Sequence, residues 1–241
     1  MRHLLIVPAL LLAACGGASF ASDGDGDVIA PGGSGGQRSY AASGFERIGL
    51  LGPDSATVSV GPAFSVRAEG DPAVLDRLQV KVKGDRLELS RRRDALGGGS
   101  GAARFVVTLP RIKAAAVAGS GNMTIDKAEA DAFKASVAGS GDLAIGALRT
   151  GALDASIAGS GNFSATGLAE RLDASVAGSG NFDGPGLVST SADVSIAGSG
   201  RVRARVNGEA SVSIVGSGDA ELGPQARCTV SRVGSGRARC A

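Results

Sequence analysis

The chain has 241 residues, a net charge of +2, 39 Gly, and only 3% aromatic residues, with no Trp. With few large side chains, its elements must pack through small residues and closely approaching backbones. Glycine is not at every third position and Pro numbers only eight, which excludes collagen; 43% apolar residues argue against disorder, and the small charge argues against nucleic acid as the main partner.

Residues 1–21 read as an export signal. Arg2 precedes an apolar run from Leu4 to Ala14 that is too short to span a bilayer. Leu12-Ala13-Ala14-Cys15 resembles a bacterial lipobox, which implies cleavage before Cys15, lipidation of Cys15 and a lipid anchor in the membrane. Gly16 in the next position resembles lipoproteins sent on to the outer membrane. The alternative is ordinary cleavage after Ala21, at Ser19-Phe20-Ala21, which leaves a periplasmic or cell-surface protein. On either route His3, the single His, is removed, so the mature chain has no imidazole base or imidazole metal ligand. No later stretch is apolar enough for a transmembrane helix.

Residues 22–44 are rich in Gly, Ser and Asp and are expected to form a flexible tether. Asp23, Asp25 and Asp27 have calcium-loop spacing. However, Val28 and Ser34 stand where an EF-hand needs Gly and a bidentate Glu, so a solvated linker is the better reading.

Residues 45–112 are a non-repetitive β segment, the first part of the head domain. Alternating runs occur at 57–60, 64–68, 78–82 and 87–90, and 104–109 is a strand stopped by Pro110. Lys83-Gly84-Asp85-Arg86 reads as a hairpin turn, and Asp71-Pro72 as the start of one helical turn. Arg91-Arg92-Arg93 before Gly97-Gly98-Gly99 is either a grip for an anionic lipid or glycan, or a solvated loop.

Residues 113–241 are a repeat. Gly-Ser-Gly begins at Gly119, Gly139, Gly159, Gly178, Gly198, Gly216 and Gly234, at spacings of 20, 20, 19, 20, 18 and 18. Apolar columns lie two and four residues before the first Gly (Val117/Val137/Ile157; Ala115/Ala135/Ala155) and after the motif (Met123/Leu143/Phe163/Phe182). Between them lie a Ser column (Ser136, Ser156, Ser175, Ser195, Ser213, Ser231) and an Asp column (Asp154, Asp173, Asp193). A unit of this length cannot bury its apolar face alone, but stacked in register the columns become interior ladders. The expected fold is therefore all-β: a parallel β-helix with rungs of about 20 residues, preceded by a short β-rich segment. The glycines form the corner, and Asn122, Asn162 and Asn181 follow it at a position suited to local hydrogen bonds or a left-handed backbone.

Cys228 and Cys240 fall in inward columns of the terminal rung, where a disulfide would close the bore; two free buried thiols are the alternative. Stacked Asp154, Asp173 and Asp193 should raise one another's pKa or share a cation. They form a stripe for a cation or basic ligand, or else a solubilising face. No catalytic residue, metal-ligand set or cofactor is assigned. Asp142 and Asp219 do not have the nine-residue period of calcium-binding repeats.

The Gly-Ser-Gly-[Asn/Asp] repeat, the lead-in Phe45-Glu46-Arg47-Ile48 and the ending Val106-Val107-Thr108-Leu109-Pro110 resemble the bacterial putative auto-transporter adhesin, head GIN domain family, over about residues 45–241. Arg201 and Arg237 depart from its Asn/Asp column. The resemblance implies a right-handed β-helix in an envelope or secreted protein, a hand that also follows the rule for parallel crossovers. It implies a non-enzymatic adhesin-like or scaffolding role, with a glycan or surface protein as partner. Self-association through exposed ends or flat Ser/Ala faces is compatible with that role. The alternative is a carbohydrate-active β-helical lyase or hydrolase. Against it, the rungs have no long insertions to build a cleft and no aromatic platform for a sugar ring.

Overall fold

The structure, a computed structural model, describes residues 26–92 and 101–240. The leader with Cys15, Asp23 and Asp25, and the run Arg93 to Ser100, lie outside the described residues. The repeat is a parallel β-helix. Its strands stack in register, Gly119 on Gly139 and so on through Gly159, Gly178, Gly198 and Gly216 to Gly234.

The alternating pattern sets the inside. The ladder Met123–Leu143–Phe163–Phe182–Val202–Ala220 and the ladder Phe133–Leu153–Leu172–Ala192–Ala210 line the bore, none of them more than 4% exposed. Phe163 and Phe182 pack with ring centroids 5.2 Å apart at a 58° tilt. Each buried Phe, Leu, Met or Val of these ladders is worth about 2 kcal/mol of transfer free energy, which only stacking can realise. Both ladders dwindle toward the C-terminal end, to Cys228 and Ala238. The rungs shorten with them, and the lost residues leave at a bulge between Gly184 and Val188, away from the glycine corner.

The two corner glycines are needed for different reasons. The first has positive φ in every rung, from +114° at Gly139 to +126° at Gly198, a region closed to side chains with a Cβ. The second points into the bore, where a Cβ on Gly161 would lie 2.2 Å from the Gly141 carbonyl oxygen. The first carbonyl of the corners at Gly119, Gly139 and Gly159 accepts two hydrogen bonds from the next rung. Gly119 O, for example, takes Ser140 N at 2.9 Å and Gly141 N at 3.0 Å.

Two sequence expectations need correction. Part of the expected tether is β-structure: Asp27–Val28, Pro31–Gly32 and Gln37–Tyr40 are strands. Gln37–Tyr40 pairs antiparallel with Ser65–Glu69, and Tyr40 is 5% exposed. Strands this short carry no readable period, and their backbone bonds form whatever the side chains.

Nor is the segment 45–112 wholly non-repetitive, as its sequence suggested. Arg47–Gly52 pairs in parallel with Ala114–Gly119, and Ser55–Val60 with the start of Asn122–Gly139. Gly52, at φ +113°, takes the first glycine's place, and Asp54 lies beneath the second. A further layer, Arg86–Arg91 and Arg104–Leu109, stacks below in parallel. All share one hydrophobic core.

Antiparallel strands cover that end: Ser65–Glu69 on Arg104–Leu109, and Leu78–Lys83 on Arg86–Arg91 through the expected two-residue turn at Gly84-Asp85. The single helical turn, Pro72–Leu75, is capped by Asp71, whose Oδ1 accepts from Ala73 N at 2.8 Å.

Candidate functional site: the outer faces of the rungs

The outward columns before the corner form one face. Lys134, Asp154, Asp173 and Asp193 stand in register, followed by Ser211. Lys134 Nζ lies 3.1 Å from Asp154 Oδ2 and neutralises one end of the column. Partial burial, and then the carboxylates of Asp154 and Asp193, raise the Asp173 pKa, while Lys134 pulls it down. The Ser column runs two residues further along the same face, and Ser136 and Ser156 share a hydrogen bond of 3.0 Å. The face thus holds carboxylates and hydroxyls at the strand spacing of about 4.8 Å in one direction.

The columns after the corner form a second face. Its Asn residues bond from rung to rung, rather than locally as the sequence suggested. Asn162 Nδ2 donates to Asp142 Oδ1 at 2.8 Å, and Asn181 Nδ2 donates to Asn162 Oδ1 at 2.9 Å. Toward the C-terminal end this column becomes Arg201, Asp219 and Arg237, and the next outward column reads Asp183, Arg203, Glu221 and Arg239. Arg201 does not take over the amide's role, but lies 4.0 Å from Asp219.

The remaining residues singled out in the sequence serve the scaffold. Cys228 and Cys240 form a disulfide across the terminal rung, Cα to Cα 6.1 Å. Of the arginine run, Arg91 makes a two-pronged ion pair with the fully buried Asp54, at 2.5 and 2.8 Å, and Arg92 donates to the Asp76 carbonyl at 2.8 Å. Asp54 also accepts from Ala103 N at 2.8 Å. Sequence reasoning missed this pair. Its signal was Gly52 two residues after Leu50, the repeat's own spacing with Pro53-Asp54 in place of Ser-Gly. Glu46, in the lead-in, holds both Arg111 at 2.6 Å and Lys113 at 2.5 Å, and those two cations lower its pKa.

An open groove of about 1420 Å³ is lined by Pro110–Lys113, by residues 127–132 and by the bends of the next rungs. It gathers none of the residues named above as candidate ligand groups. Among the described residues, no cluster of three or more His, Cys, Asp or Glu is placed to hold a metal ion, and no helix is long and apolar enough to cross a membrane.

The profile of the putative auto-transporter adhesin, head GIN domain family matches residues 44–226. The chain belongs to that family. The match spans the corners from Gly52 to Gly216 and stops just before the rung that carries the disulfide.

Solved structures share the fold. A putative adhesin from Bacteroides fragilis superposes with a TM-score of 0.78 at 18% identity, covering 85% of this chain and 96% of that one. A putative lipid binding protein from Parabacteroides distasonis gives 0.66 at 20%, covering 85% and 96%. A putative adhesin from the same species gives 0.62 at 18%, covering 90% and 98%. No curated protein matches the chain.

Proposed function

We propose that the chain is an exported, non-enzymatic cell-envelope protein whose β-helix presents a rigid face to a glycan or a surface protein. Its family, and the names of the proteins it resembles in fold, support a place in the envelope and a role in adhesion. Cys15 is the point at which a lipid would tether it, with ordinary signal cleavage as the other route.

The observation that carries the reading is the fixed register of Asp154, Asp173 and Asp193 beside the Ser column. Because neighbouring rungs fix the backbone, carboxylates and hydroxyls are held in a lattice before any ligand arrives. A repeating ligand with hydroxyls or cationic groups then binds without the cost of ordering the backbone.

The test is an array of glycans, extracellular-matrix proteins and phospholipids probed with the purified protein, with and without calcium. Binding to a glycan or matrix protein that is lost in Asp154→Ala/Asp173→Ala/Asp193→Ala supports the reading. Binding that survives the triple substitution moves the ligand to another face, and an array without signal contradicts adhesion.

A further inference from the structure

The two ends of the stack are finished differently. At the N-terminal end, antiparallel strands lie over the core. At the other, strands Arg227–Gly234 and Arg237–Cys240 pair on one side only, with Glu209–Gly216 and Asp219–Gly223. Among the described residues nothing pairs with their outer edge. That edge presents a row of backbone donors and acceptors, the template on which a further strand can form.

Three of the four arginines on this rung follow a rule, whereas Arg232 stacks on Ile214 and donates to Gly236 O at 3.0 Å. Glu209 pairs in register with Arg227, Asp219 with Arg237, and Glu221 with Arg239. Arg227 lies 2.7 Å from Glu209, and Arg239 lies 3.1 Å from Glu221. One rung further in the sign alternates again, with Arg203 3.3 Å from Glu221 and 3.7 Å from Asp183. Acid and arginine therefore alternate up these columns, and the last described rung carries arginine. Residues 224–240 contain four Arg and no Asp or Glu. The side chains of Arg227 and Arg239 are 71% and 69% exposed. Beside them, Val230 is 44% and Val233 69% exposed, and Ala238 sits in the inward column between Arg237 and Arg239.

We infer that the outer edge of this rung docks an extended strand of a partner protein, carrying carboxylates at alternate positions over Arg237 and Arg239 and a small apolar residue between them over Ala238. The alternating columns specify acids for the next layer, and the unpaired edge supplies the backbone bonds. A second copy of this chain does not fit. Edge to edge, two such rungs would set arginine against arginine, and edge to opposite end would meet the covering antiparallel strands. The inference stands apart from the proposed ligand face, since it uses neither Asp154, Asp173 nor Asp193.

The test uses the purified chain and a fluorescein-labelled peptide alternating Glu with Val, read by anisotropy at low and moderate salt. The expected result is saturable binding that weakens with salt. It should fall about tenfold in Arg237→Gln/Arg239→Gln, as two exposed ion pairs allow. It should also fall on the unchanged protein when the peptide's Glu are replaced by Gln, or when its alternate amides are N-methylated. A peptide alternating Lys with Val should not bind.

Three results would overturn the inference: no binding of the Glu peptide, equal binding of the N-methylated peptide, or anionic phosphatidylglycerol vesicles binding where the peptide does not. The last would make the rung a lipid-facing patch. Aggregation of Arg237→Gln/Arg239→Gln without peptide binding by the parent would leave these arginines only as guards against edge-to-edge association. A failed glycan array with a positive peptide titration, or the reverse, separates this inference from the proposed function.

Discussion

The carbonyl oxygen of Gly121 stands where a side chain on Gly141 would have to go, with only 2.1 Å between it and a Cβ placed there. The neighbour is backbone, fixed by its own rung, so it cannot swing aside. Gly141→Ala should cost about 1–3 kcal/mol, the range for overpacking a filled interior. Gly139→Ala should also destabilise, through its φ of +114°. Ser140→Ala, exposed between them, should stay within about 0.5 kcal/mol of the parent. Urea midpoints of the three variants check this ordering.

The acidic column should make stability depend on pH. The folded-state pKa of Asp173 is raised, so between the ordinary aspartate value and the raised one the native state holds a proton that the unfolded chain has released. Stability therefore falls as pH rises through that window, and the deficit is complete at neutral pH. Asp173→Asn should be at least as stable as the parent at pH 7 and show a flatter melting temperature across the window. An unchanged pH profile would mean that solvent already screens the column.

The disulfide closes a loop of sequence separation 12. On chain-entropy grounds its loss should cost about 3 kcal/mol. Because its rung pairs on one side only, the loss should appear there first. Cys228→Ser/Cys240→Ser should speed amide exchange across 227–240, while the rungs around Phe163 and Phe182 keep their protection. Uniform loss of protection would instead mean that the stack unfolds as one unit.

Asp54 is fully buried and ties Arg91 and Ala103 N to the base of the corner stack. Arg91→Ala strands that carboxylate and should cost about 3 kcal/mol. Asp54→Asn keeps one acceptor for Ala103 N and removes the stranded charge. Combining the two should therefore cost less than the sum of the singles, which a double-mutant cycle in urea measures.

Period and column made the repeat legible. Once Val137, Ile157 and Val176 are known to lie two residues before a glycine, the inward face, the parallel stack and the cysteine positions all follow. What escaped had no period to read. The strands at Asp27–Val28 and Pro31–Gly32 are two residues each, held by backbone bonds alone. The Gly52-Pro53-Asp54 corner escaped because only its first glycine survives. Its second position is Asp54, whose side chain binds Arg91 and Ala103 N. The outer columns gave composition but not partners. Asp154 to Asp193 could be listed from the sequence, whereas the end charge supplied by Lys134 and the rung-to-rung bonding of Asn162 needed the register.

The most direct test of the central claim is adhesion by cells that display the chain. Cells carrying the parent protein should adhere to a surface coated with the array's strongest glycan or matrix ligand. Cells displaying Asp154→Ala/Asp173→Ala/Asp193→Ala at equal abundance should adhere no better than cells without the protein. Equal adhesion by parent and variant would contradict the claim that this face of the β-helix is the one that binds.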